Sequence, residues 1–130
     1  MGRSQRLRGA HPADDRDRAF RAELDQAYPR LTNLAPNKPI IVAEFGCDIH
    51  HRKVKAADWA RSALQDLFAR RWPAVVGFCW WNEGWENDDV PAHNSDLFIL
   101  NDPALTAAYR AELQAPGDQV QEKPILREQR

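Results

Sequence analysis

Glu44 closes a short apolar run, Pro39-Ile40-Ile41-Val42-Ala43-Glu44-Phe45, which Gly46 ends. A carboxylate is costly to bury without a partner or a task. Two readings compete: a catalytic carboxylate, or a glutamate held in a salt bridge or capping a loop. Further along, Phe78-Cys79-Trp80-Trp81-Asn82-Glu83-Gly84-Trp85 gathers three of the chain's five tryptophans. An aromatic ring beside a carboxylate at the mouth of an apolar sheet suits a sugar. Pyranose C–H faces pack on aromatic rings, while carboxylates and amides take the hydroxyls. Successive strand residues point to opposite faces. If Trp80 faces the site with Glu44, Trp81 faces a flanking helix; the alternative is that both are core residues, and for Trp81 a core place is expected. Asn82 and Trp85 lie just beyond and join the expected sugar-binding surface.

These residues need a scaffold. The run at residues 39–45 is β-branched and continuously apolar, the pattern of a strand buried on both faces. Ala74 to Trp81 reads as a second such strand. Helices are expected over Asp14–Leu31, Val54–Arg71 and from Pro103 to about Gln114. Asp102-Pro103 is a capping residue followed by proline at the first helical position. Asn82 to Asn101 reads as a long polar loop. Residues 1–13 read as a polar, Arg-rich leader and 115–130 as a polar tail, both mobile. Helix, strand, helix, strand, helix is the order of a parallel βαβ unit with flanking helices. Catalytic groups in such folds gather at the C-terminal ends of the strands, where Glu44 lies. Two strands do not close a domain, and a (β/α)8 barrel takes eight strands and ~250 residues. The expected fold class is α/β: a partial (β/α)8 TIM barrel, its last two parallel strands with three helices.

Other chemistries find less support. Eighteen basic and nineteen acidic residues leave a net charge of −1, with no electrostatic case for nucleic acid or an acidic membrane. No apolar run approaches the ~18 residues of a membrane span. No secretory signal is legible, since no apolar segment follows Arg3, Arg6 and Arg8. His50 and His51 with Asp48 and His93 lack metal-ligand spacing, so no metal is expected. No phosphate-binding glycine motif is present, and no cofactor is implied. Cys47 and Cys79 are read as free thiols.

Lys38-Pro39-Ile40-Ile41-Val42-Ala43-Glu44-Phe45-Gly46, then Trp59, then Gly77-Phe78-Cys79-Trp80-Trp81-Asn82-Glu83 resemble the C-terminal part of a retaining clan A glycoside hydrolase. The nearest likeness is to glycoside hydrolase family 26, the β-mannanase family. Ser95-Asp96-Leu97-Phe98-Ile99-Leu100 and the helix after it resemble that family's ending, so the likeness spans about residues 18 to 113. The resemblance implies that Glu44 is the nucleophile at the end of strand seven. It implies that Trp80 floors the subsite of the cleaved sugar, and that the partner is a polysaccharide, β-1,4-mannan first. It also implies a second carboxylic acid on strand four, which nothing before Pro36 resembles. Asp48, Glu83, Asp88 and Asp89 do not match that acid and read as solvated loop charges. The chain is therefore expected to be part of a catalytic domain and nearly inactive alone. The alternative is a non-catalytic carbohydrate-binding or inactive remnant of such a domain.

Overall fold

The computed structural model describes residues 19–116. The expected leader, the start of the helix expected over Asp14–Leu31, and the tail beyond Pro116 lie outside them. Helix α1 spans Phe20–Leu34, strand β1 Ile40–Phe45, helix α2 Ala56–Phe68 and strand β2 Val75–Trp80. Strands β3 (Gly84–Trp85) and β4 (Ser95–Asp96) follow, then helix α3, Pro103–Gln114. The architecture is a small α/β domain in which β1 and β2 pair in parallel across α2.

Local chemistry sets the element ends. Asp102 caps α3 as its sequence predicts, its Oδ1 accepting from the amides of Ala104 (2.8 Å) and Leu105 (3.2 Å). Helix α2 is shorter than the expected Val54–Arg71. At its start, His51 Nδ1 accepts from the amides of Lys53 and Val54, which holds those residues in a turn. At its end, Arg70 takes a left-handed φ of 55° and stops the helix. Helix α1 runs past Pro29 to Leu34, beyond the expected end at Leu31. In its last turn Leu34 is 83% exposed.

All three helices lie on one face of the β1–β2 sheet. Val42, Phe45, Val75, Phe78 and Trp80 point into that layer, against Phe20, Leu24, Ala63, Leu64 and Trp72. Aromatic rings dominate it. Phe45 meets Phe20, Trp59, Phe78 and Trp80 at centroid distances of 5.2 to 6.0 Å. The second face is open. Ile41 is 63% and Val76 64% exposed, and Ala43, Glu44 and Cys79 are exposed beside them. The sequence reading had both strands buried on both faces. Among the described residues only one face has a covering layer, so the apolar run at 40–45 is half-buried instead.

Candidate active site

The site begins with an irregularity in β1. Val42 pairs with Phe78 and Phe45 with Trp80, so β1 advances three residues while β2 advances two. In an unbroken strand Glu44 would share the face of Val42 and enter the helix layer. The extra residue restores Phe45 to that layer and leaves both Ala43 and Glu44 exposed. Bulges re-aim side chains in this way and concentrate near active sites. Among the described residues, no hydrogen bond or ion pair engages the Glu44 carboxylate.

Trp80 does not join it there. As the register partner of Phe45, it points the same way, toward the helices. Its ring packs on Phe45 at 5.4 Å, Trp59 at 6.1 Å and Tyr109 at 5.5 Å. Its Nε1 donates to the Leu97 carbonyl at 2.8 Å. Trp80 is a core residue that clips the following loop to the helix layer, and its placement on the open face is corrected. Trp81 takes the opposite side. Its amide donates to the Phe45 carbonyl at 2.8 Å, carrying the strand past the end of β1. Alternation then turns its side chain from the helices toward the side that Glu44 uses. The Trp81 ring meets Trp85 edge to face, at 5.8 Å and 89°. Its Nε1 is buried with no hydrogen-bond partner among the described residues.

The segment from Asn82 to Asn101 is more ordered than a polar loop. Strands β3 and β4 pair antiparallel, Gly84 with Asp96 and Trp85 with Ser95. Leu97 N donates to the Glu83 carbonyl at 3.0 Å, extending that ladder. Asn82 Oδ1 accepts from Ile99 N at 2.8 Å, which commits half of this expected sugar-binding amide to the loop. A Cβ on Gly84 would lie 3.1 Å from the Phe98 ring and 3.2 Å from the Ser95 carbonyl, so a side chain there would have to push the ring or the hairpin backbone aside by a few tenths of an ångström. The sequence reading missed the hairpin because each strand is two residues long, too short for periodicity to register.

Asp48, expected as a solvated charge, is only 8% exposed. Burial raises its carboxyl above the ordinary range, against the pull of the His50 amide, which donates to Oδ1 at 2.8 Å. Glu83 and Asp89 are exposed. Asp88 Oδ2 lies 2.8 Å from His93 Nδ1. His50 is exposed, and the histidines do not converge. Among the described residues no group of three or more His, Cys, Asp or Glu side chains could hold a metal ion. Cys47 and Cys79 are both unbonded; Cys47 is buried and Cys79 exposed. A groove of about 440 Å³ between Phe20, Lys53, Lys55, Asp58 and Trp59 lies in the helix layer and contains none of the site residues.

The geometry thus sets a carboxylate with no partner among the described residues at the C-terminal end of a parallel strand, with Trp81 and Trp85 after the neighbouring strand. No family model matches the chain, and no curated protein matches it.

Proposed function

We propose that this chain carries the nucleophile and part of the sugar-binding wall of a retaining endo-β-glycosidase of the β-mannanase type. The observation that carries the reading is Glu44: an exposed carboxylate turned to the open face by a bulge at the strand's C-terminal end, with no partner among the described residues. In this reading β1 and β2 are the last two strands of a (β/α)8 barrel, and their open face is the barrel's interior. The exposed Ile41 and Val76 support it, because they lie where the remaining strands would cover them.

The chemistry is a double displacement. A Glu44 carboxylate oxygen attacks the anomeric carbon as the bond to the leaving oxygen breaks. An acid ~5–5.5 Å away gives that oxygen its proton, and then takes one from the water that releases the glycosyl-enzyme. The resemblance puts that acid on an earlier strand, so the chain alone is inactive or nearly so. General acid catalysis contributes ~10²–10⁴-fold, and the missing wall adds to the loss.

The test assays this chain, and a longer form bearing the preceding strands, on mannan, lichenan and xylan. The longer form should hydrolyse mannan and lose at least ~10³-fold on Glu44→Ala, as befits removal of a nucleophile. Robust hydrolysis by the 130-residue chain would overturn the division of the site. A longer form indifferent to Glu44→Ala would overturn the nucleophile. Sugar binding without cleavage is the second reading, favoured by the exposed, hydrogen-bonded Trp85.

A further inference from the structure

Trp85 is held in a way that stacking alone does not explain. Its Nε1 donates to Asn87 Oδ1 at 2.8 Å. Asn87 Nδ2 in turn donates to Ser95 Oγ at 2.8 Å and to the His93 carbonyl. One amide therefore ties the indole of β3 to β4 and to the turn between them. The tip is closed separately, by Val90 N on Asp88 Oδ1 at 2.8 Å and by the Asp88–His93 contact. The result is a short hairpin with a fixed tryptophan. The polar edge of that ring is satisfied inside the hairpin, yet Trp85 remains 36% exposed. It stands perpendicular to Trp81, so the two indoles form a corner.

An exposed indole whose N–H is already bonded offers a partner its apolar surface and little else. A preorganised aromatic ring binds at low entropic cost, because its rotamer is fixed beforehand. The ligand that fits such a corner has a flat apolar C–H face and polar edges, which describes a pyranose ring. We propose that Trp85 is a sugar-stacking platform of this protein and that Asn87 is its positioning residue. This deepens the sugar-binding reading of the open face and does not depend on Glu44 acting as nucleophile.

The experiment titrates the ¹⁵N-labelled 130-residue chain with mannopentaose, cellopentaose and xylopentaose, following the tryptophan indole N–H signals. Trp85→Phe identifies the Trp85 signal. That signal should shift saturably with at least one pentasaccharide. Trp85→Ala should weaken binding about tenfold or more, as expected for losing one stacked ring. Asn87→Ala should displace the free-state Trp85 indole signal and weaken binding several-fold. Asn87→Asp keeps the acceptor for Trp85 Nε1 but loses the Nδ2 donor to Ser95 Oγ and the His93 carbonyl, so it should restore the affinity only in part. Thermal melts of each variant confirm folding. The platform is overturned if no pentasaccharide moves the Trp85 signal, or if Trp85→Ala binds as tightly as the parent. The positioning role is overturned if Asn87→Ala leaves the Trp85 signal in place. A longer form that loses mannan cleavage on Glu44→Gln, but keeps its KM on Trp85→Ala, would reject the platform and keep the nucleophile.

Discussion

Val42, Ala43, Glu44 and Phe45 divide their side chains unevenly between the two faces of the sheet, and that division decides what Glu44 can do. The sequence alone identifies Glu44 as the carboxylate at a strand end. It does not say which tryptophan accompanies it. Trp80 and Trp81 are chemically identical neighbours, so only the parity of β2 relative to β1 separates them. That parity follows from the Phe45–Trp80 pairing, which is a contact between distant segments. Asp48 was obscured for a related reason. A loop position looks solvated until the segment from Asp96 is seen to pack over it; Ile49 N donates to the Asp96 carbonyl at 2.9 Å. A carboxyl whose folded value is raised binds its proton more tightly in the folded chain. Its stabilising effect is complete below the unfolded value and is lost as pH rises through the folded one. Asp48→Asn keeps the acceptor for His50 N and removes the ionisation. The variant should melt higher than the parent at pH 7 by calorimetry, with the difference vanishing toward pH 3.

Among the elements, β1, β2, the three helices and the Asp102 cap were legible because each follows from local pattern or capping chemistry. The bulge and the β3–β4 hairpin were not. Nothing in Ile41-Val42-Ala43-Glu44-Phe45 marks an extra residue, and the mismatch exists only against Phe78-Cys79-Trp80. The bulge makes a separable prediction. Deleting Ala43 leaves Val42, Glu44 and Phe45 in strict alternation, with Val42 and Phe45 still on the helix side. The aromatic packing of Phe45 on Trp80 survives, so the melting temperature of this chain should change by only a few degrees, on the order of a surface substitution. Glu44 moves along the strand, however. In the longer form mannan hydrolysis should fall by ~10²-fold or more, the cost of about 1 Å of misplacement. A deletion that unfolds the chain, or one that leaves hydrolysis intact, would show that the bulge does not aim Glu44.

For the molecule as a whole, the expected α/β order and the parallel pair are present, while the two-sided burial is not. Hydrophobic runs report that a face is meant to be covered, but not by which part of a protein. Ile41 and Val76 turn that ambiguity into a measurement. Ile41→Thr and Val76→Thr should each change the stability of this chain by no more than ~0.5 kcal/mol in urea, as for exposed sites. In a longer form with a closed barrel the same changes should cost about 1–3 kcal/mol, because the hydroxyl would be buried. Equal effects in both would argue against closure. The unequal cysteines supply a chemical footprint of the same surface. Burial pushes the Cys47 thiol up to about 12, so at neutral pH it is closed to alkylation. Cys79 is exposed at the end of β2. Iodoacetamide should therefore add a single adduct to this chain, at Cys79, by intact mass. The rate of that one reaction is a clock for how often the sheet is bare: fast here, slowed wherever another layer of protein or a bound glycan shades it.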